Sequence, residues 1–324
     1  MNISRSLLMA GLLATGAASM EAQASLTAFK SFTGQYGVST DGWGSTSQAG
    51  VISASVPAGS TVVAAYLYTS VYMNTNPVGG TLNATTVNYA ANLGATGPLN
   101  LNAWRADVTN LVKPVIDGGA GGIYNFDITE TSASQDGSAL VVVYSNGSLG
   151  VSSIGILDGF SNSIGDSTSI NFAQPLDPSG VGFKAEMMLG IGFSCCNNQF
   201  STVKVNGQTL TNNAGNNDDG TQVANGSLIT VGGFDDPLSP VNPTYAQDRE
   251  RYDLKSFINK GDTKIVVDTR NPSNDDNIFL AVFNITGIAG FNEPPPPVDA
   301  VFAPATFPLV GSMVLLMLGL RRRK

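Results

Sequence analysis

The chain has 324 residues, of which 42% are hydrophobic but only 12% charged, and it contains 37 glycines and 16 prolines. It has no histidine, which excludes Ser-His-Asp and Cys-His triads, the His-Glu-x-x-His zinc site and histidine acid–base catalysis. A formal charge of −8 repels phosphate backbones, so no nucleic-acid partner is expected.

At the N-terminus Arg5 precedes an apolar stretch from Leu7 to Ala18, followed by the small-x-small triplet Ala22-Gln23-Ala24. This pattern predicts a signal peptide over residues 1–24, with signal peptidase as a processing partner and Ser25 as the first mature residue. From Ser25 to Asp299 there are 11 basic and 23 acidic side chains, a formal charge of −12, and room for one large or two ordinary β domains. Frequent Gly, Ser, Thr and Asn are the composition of short strands joined by tight turns.

The first unit is expected over 25–150. Trp43, in Asp41-Gly42-Trp43-Gly44, and Trp104 are either sugar-stacking or, as is commoner in a sandwich, core residues. Thr61 to Tyr68 and Ala139 to Tyr144 are apolar on both faces, as central strands covered by a second sheet or a neighbouring domain would be. The second unit is expected over 151–291 and repeats the first. Arg105 to Val112 and Arg251 to Ile258 match at a constant offset of 146 residues, with Arg105/Arg251, Asp107/Asp253, Leu111/Phe257 and Val112/Ile258 in register. Thr85-Thr86-Val87-Asn88 before the first copy answers Val203-Lys204-Val205-Asn206-Gly207 before the second, and strands follow both in the same order. Asp107 and Asp253 are expected to accept backbone N–H bonds at a helical turn, each with the Arg two residues earlier pinning that turn. Asn206-Gly207 marks a tight hairpin.

Cys195 and Cys196 are adjacent and the only cysteines. They form a strained vicinal disulfide, remain buried thiols or join two chains. The second unit also carries a polar insertion near 211–247, containing Asp218, Asp219, Asp235 and Asp236, and Asp275-Asp276 follow it. Carboxylates clustered on turns are calcium-ligand material, but none has the spacing of an EF-hand loop: Gly215 stands where a ligand is needed and the distal Glu is missing. Turn propensity alone accounts for such Asn/Asp runs, so calcium is possible and no cofactor is required.

Tyr252 to Val267, with the Val-Asn-Gly hairpin before it, resembles the corresponding stretch of galactose-binding-like jelly rolls, the sugar-binding sandwiches attached to many β-glycosidases. The resemblance implies a jelly-roll-like fold whose carbohydrate contacts come from loops at one end. Residues 292–299 include four consecutive prolines, a stiff polyproline spacer. From Ala300 to Leu320 no residue is charged, a length that can span a bilayer, and Arg321, Arg322, Arg323 and Lys324 would hold the end in the cytoplasm. Val301-Phe302-Ala303-Pro304-Ala305-Thr306, the apolar run and the Arg cluster resemble the PEP-CTERM sorting tail, matching Val-Pro-Glu-Pro-Ala-Thr at Val301, Pro304, Ala305 and Thr306. That resemblance implies processing by an exosortase and a route to the surface or exopolysaccharide matrix of a Gram-negative bacterium.

The sequence therefore predicts an all-β protein: two tandem, related, jelly-roll-like β-sandwiches between a signal peptide and a transmembrane tail. The expected function is non-catalytic, at the cell surface or in the matrix, binding polysaccharide or self-associating. The alternative is a glycan-acting hydrolase with a carboxylate pair, which needs two acids facing each other across a cleft.

Overall fold

The computed structural model describes residues 25–44, 47–71, 78–96, 101–161, 163–192, 200–215, 229–272 and 277–299. The expected signal peptide, the sorting tail from 300 to 324, Cys195, Cys196, Asp218, Asp219, Asp275 and Asp276 lie outside the described residues. Among the described residues no helix is long and apolar enough to cross a membrane.

The protein is mostly β, in several antiparallel sheets. The first half carries β1 (Thr27–Gly34), β2 (Tyr36–Trp43), β3 (Ala49–Val56), β4 (Thr61–Val71), β5 (Gly80–Leu82), β6 (Thr85–Thr86), β7 (Ala91–Thr96), β8 (Leu101–Asp107), helix α1 (Thr109–Ile116), β9 (Gly122–Glu130) and β10 (Gln135–Ser145). The second carries β11 (Ser152–Asp158), β12 (Asp166–Phe172), β13 (Ala185–Gly192), β14 (Ser201–Val205), β15 (Gln208–Ala214) and β16 (Ile229–Val231). It continues with β17 (Arg251–Asp253), β18 (Lys264–Arg270), β19 (Asn277–Thr286) and β20 (Ala289–Phe291), with short 3-10 helices at Tyr245–Gln247 and Lys255–Phe257.

Four sheets stack in four layers. The first half builds an outer sheet, β3-β9-β5-β6, and an inner one, β2-β10-β4-β8-β7. The second builds an inner sheet, β1-β11-β19-β13-β16 with β17 also on β13, and an outer one, β15-β14-β18-β12-β20. Ile52, Phe126 and Ile128 of the first outer sheet pack on Leu67, Leu140 and Val142 of its inner partner. Met187, Leu189 and Phe283 pack likewise on Ile170, Val203 and Ile265 in the second half. A third apolar layer joins the two inner sheets, with Tyr68, Val141 and Val143 against Ile156, Phe279 and Val282. This is why β4 and β10 read as apolar on both faces: each has a core on either side. On outer strands the pattern alternates instead, as in β9, where Phe126, Ile128 and Glu130 point inward between exposed Asn125 and Asp127.

The two halves share one wiring. The order β2-β10-β4-β8 in the first corresponds to β11-β19-β13-β17 in the second, and β3-β9-β5-β6 corresponds to β12-β18-β14-β15, strand for strand in chain order. Asp107 accepts a bond from the Thr109 N–H at 2.9 Å and Asp253 one from the Lys255 N–H at 2.9 Å, so each copy opens its helical turn in the same way. The hairpins match in detail too. Asn206 (φ 50°) bonds through its N–H to the Val266 carbonyl and accepts the Val266 N–H on its side chain; Asn83 (φ 47°) does both with Asp127. The counterpart of Asn206-Gly207 is therefore Asn83-Ala84, not the Thr85–Asn88 stretch that the sequence paired with it. Ala84, at φ 60°, takes the place of the expected turn glycine and hides the signal.

The strand β1, which the sequence boundary groups with residues 25–150, is hydrogen-bonded to β11 in the second half's inner sheet. Gln35 alone separates it from β2 in the first half's inner sheet, so one continuous stretch of chain ties the two sheets together. At the other end the spacer starts clipped to β12: Ser169 N–H donates to the Asn292 side chain and Asn171 donates to the Glu293 carbonyl.

Candidate functional site

Of the sequence-derived calcium candidates, Asp235 and Asp236 are described, on a bend just after β16. They face Asp41 on β2. A side-chain carbon built on Gly233 would lie 2.7 Å from Asp235 Oδ1, 3.3 Å from Asp236 Oδ2 and 3.5 Å from Asp41 Oδ1, so three carboxylates converge beside one glycine. Asp41 is buried, which pushes its carboxyl up to about 7, and Asp235 and Asp236 add to the rise. Its geometry shows a frame role. Asp41 accepts the Ser53 N–H at 2.5 Å and Ser39 accepts the Ser55 N–H at 2.9 Å, so side chains of β2 cap the outward N–H groups of the edge strand β3. Asp236 accepts the Gly233 N–H at 2.8 Å. Among the described residues no group of three or more His, Cys, Asp or Glu is placed to hold a metal ion.

The repeated arginines do not pin their own aspartates as the sequence suggested. Arg105 crosses the seam between the inner sheets to an ion pair with Asp158, whose carboxylate also accepts the Tyr68 hydroxyl at 3.2 Å. The Arg105 guanidinium carbon lies 3.3 Å from the centre of the Phe29 ring. Burial raises the Asp158 carboxyl above its usual range and Arg105 pulls it back. Arg251 instead donates to the carbonyls of Phe234 and Asp236 at 2.9 and 2.8 Å, and lies 3.8 Å from Glu186. In both copies the short Asp bonds its own turn while the long guanidinium reaches further, in Arg105 across to the next sheet and in Arg251 to the bend after β16 beside its own sheet.

Two buried polar clusters went unread in the sequence. In the second half, Asp248 accepts the Tyr252 hydroxyl at 2.6 Å and the Thr211 hydroxyl, while Glu250 accepts the Gly215 N–H at 2.8 Å and the Thr230 hydroxyl at 2.7 Å. In the first half, Glu130 Oε1 accepts from Ser138 at 3.0 Å and Thr69 at 3.4 Å, and Gln135 Nε2 donates to Thr69 Oγ1 at 3.4 Å. Burial pushes the Glu130 carboxyl up to about 8, with the Asp136 charge adding to it. A periodic signal was there: Phe126, Ile128 and Glu130, like Ala65, Leu67 and Thr69, keep one inward parity, so an acid at the end of such a series is a buried acid.

The tryptophans belong to the frame. Trp43 is buried in the first half's core, and Trp104 packs against that core with its indole N–H on Asn102 at 2.7 Å. A surface hollow of about 380 Å³, beside Phe183 and Leu238, brings together Glu186 and Asp253, which sit directly opposite each other on β13 and β17. Another of about 310 Å³ lies at the seam between Tyr36, Tyr144, Lys184 and Asn284.

No protein-family model matches the chain, and no curated protein matches it in sequence. Among solved structures it is similar to the crystal structure of BuGH86wt in complex with neoagarooctaose, at 9% identity and a TM-score of 0.25, covering 79% of this chain and 34% of that one. The chain thus spans about a third of that protein's length, and nothing about its activity follows from a likeness at that level.

Proposed function

We propose that the chain is a non-catalytic, exported protein of the cell surface or extracellular matrix, built from two related, jelly-roll-like sandwiches and engaging polysaccharide or further copies of itself. One observation carries this reading. The two halves meet through an apolar layer, Tyr68 and Val141 against Phe279 and Val282, and the buried acids Asp41, Asp158, Asp248 and Glu250 are bonded to strands and hydroxyls of the frame. A rigid four-layer body on a proline spacer suits a load-bearing or adhesive part. Export rests on the small-x-small triplet, the apolar run closed by arginines and the PEP-CTERM-like residues, which imply signal peptidase, exosortase and the membrane as processing partners.

Two experiments test this. Fractionation of cells producing the full chain places it in the surface or matrix fraction, and recovery from the cytosol would end the export reading. Cosedimentation with a panel of acidic and neutral exopolysaccharides retains it on at least one, whereas retention on none, with a monomer in solution, removes the binding function. A second reading, a glycan-acting hydrolase, has Glu186 and Asp253 in its favour, because two acids there line one hollow. Each already has a cation, Arg251 at 3.8 Å and Lys255 at 3.4 Å. Release of reducing ends from any of those polysaccharides, lost in Glu186→Gln, would replace the first reading with this one.

A further inference from the structure

The hollow of about 310 Å³ at the seam is built by both halves. The first gives Tyr36 from β2 and Tyr144 from β10, and the second gives Asn284 from β19 and Lys184 from just before β13. Its volume is at the lower end of the range for small-molecule sites. Gly37 makes the place for Tyr144, since a β-carbon there would lie 2.6 Å from two atoms of the Tyr144 ring. A glycine inside a strand weakens it and often marks a close approach, here that of the ring. Three polar groups meet the hollow without a protein partner. Neither the Tyr144 hydroxyl nor the half-buried Asn284 amide is hydrogen-bonded among the described residues, and Lys184 is in none of their ion pairs. Burial and the Glu186 charge hold the Tyr144 hydroxyl above its ordinary range, so it stays a donor at neutral pH. Lys184 is the only charged side chain lining the hollow. Glu186, two residues along β13, already faces Arg251 at 3.8 Å. Val181, fully exposed, adds an apolar rim.

We propose that this hollow takes one uronic-acid unit of an acidic exopolysaccharide, its carboxylate on Lys184 Nζ and its hydroxyls on the Asn284 amide and the Tyr144 hydroxyl. The assignment rests on the polysaccharide-binding reading above and gives it a place and a substrate class. An ammonium and a carboxylate form a charge-assisted bond, stronger than one between neutral groups. A sugar hydroxyl both donates and accepts, and so matches an amide and a phenol, which do both as well. The C–H face of the sugar ring is left for Val181 and the Tyr36 ring. The surplus of acids elsewhere on the chain does not prevent the pairing, because at physiological ionic strength exposed charges more than ~8 Å apart are largely screened. That surplus does disfavour general adsorption of polyanions, so binding depends on the local contact at Lys184. Because each half supplies part of the lining, neither sandwich carries the site alone.

The test is retention of the full chain, in mild detergent, on beads carrying polygalacturonate, a polymer of uronic acid, and on beads carrying neutral dextran. The expected result is retention on polygalacturonate alone, competed by free galacturonate. Lys184→Ala weakens it by ~10-fold or more, and Tyr144→Phe and Asn284→Ala by about 2–10-fold each. Lys184 is exposed and unpaired, so Lys184→Ala should melt with the wild type, and its lost retention is then not lost folding. Lys184→Glu, which puts a like charge against the carboxylate, should abolish retention. Equal retention of the wild type and Lys184→Glu on polygalacturonate overturns the site and leaves polysaccharide binding in place. Retention on dextran alone overturns the uronic-acid assignment and likewise leaves the broader reading. A wild-type chain with a native circular dichroism spectrum that passes through both columns overturns the proposal, whatever the wider panel of polysaccharides shows.

Discussion

Tyr66 on β4 stands opposite Asp107, and Glu186 on β13 stands opposite Asp253. Three residues further along those strands the first half has Thr69, facing Ser138 on β10, and the second has Leu189, facing Ala281 on β19. On the outer strands, three residues past the one bonded to the hairpin asparagine, Glu130 in the first half answers Thr269 in the second. One frame thus holds a carboxylic acid where its second version has Thr269, buried and 3.3 Å from the Ser161 hydroxyl, and a threonine where the second packs Leu189, fully buried. The second version shows that the wiring does not need a carboxylic acid at that position in order to fold.

The sharpest way to break the comparison is at the arginines that share the 146-residue offset. Arg105→Ala removes the partner of Asp158 from within the seam and leaves a buried carboxyl beside Tyr68, at a cost of about 3–5 kcal/mol. Arg251→Ala loses two carbonyl bonds and a distant carboxylate near the surface, and costs ~1–2 kcal/mol. Urea titration of both variants measures the difference. Equal losses would mean that the two arginines hold their halves together in the same way, and that the seam pair has no special weight.

The next effect is pH. Glu130 is pushed up to about 8, and Asp41 and Asp136 to about 7, all chiefly by burial. Groups whose folded values lie above their unfolded ones stabilise fully below the unfolded value and lose that contribution as pH rises through the folded one. Stability is therefore expected to be greatest near pH ~4–5 and to fall toward pH ~8, by a few kcal/mol. Glu130 supplies much of this slope, and Thr269, its counterpart in the second half, has no group that ionises in this range. Glu130→Gln, which cannot ionise, should melt higher than the wild type at pH ~8 and no higher at pH ~4.5. Parallel melting curves for the two proteins across that range would show that Glu130 is not the acid responsible.

Much of this frame could be read from the sequence, and its parts differ in legibility for physical reasons. The double-faced strands at Thr61 and Ala139 announced a core on each side, because burial on both faces removes polar alternation. The repeat was visible at Arg105–Val112 because Asp107 and Asp253 make the same backbone bond within two residues, a local constraint that fixes residue type. The ion pairs were not visible, since Arg105 and Asp158 lie on different sheets and nothing local ties them. Likewise Asp235 and Asp236 were singled out as an acidic turn, but Asp41, far away in sequence, is what they face across Gly233. The cluster of Thr69, Glu130 and Gln135 draws on three separate segments. Only the inward parity of Glu130 could have pointed to it.

The smallest test concerns the hairpins. Asn83 and Asn206 sit at φ 47° and 50°, each with its side chain accepting one N–H from the neighbouring outer strand. Replacement by Ala keeps the β-carbon in the left-handed region, loses the amide that favours asparagine there and removes that bond, together with the Asn206 donation to the Phe257 carbonyl at 2.9 Å in the second half, an expected loss of ~1–2 kcal/mol in either half. Replacement by Gly relieves the strain and keeps only the loss of the bond, so each Gly variant should recover part of the deficit. The informative result is the ratio between halves. If Asn83→Ala and Asn206→Ala unfold with matching losses by urea titration, the two hairpins are mechanical equivalents despite Ala84 standing where Gly207 does. If Asn83→Ala costs more, because Ala84 at φ 60° already strains the first hairpin, then the halves share wiring but not tolerance, and the first is the weaker hinge.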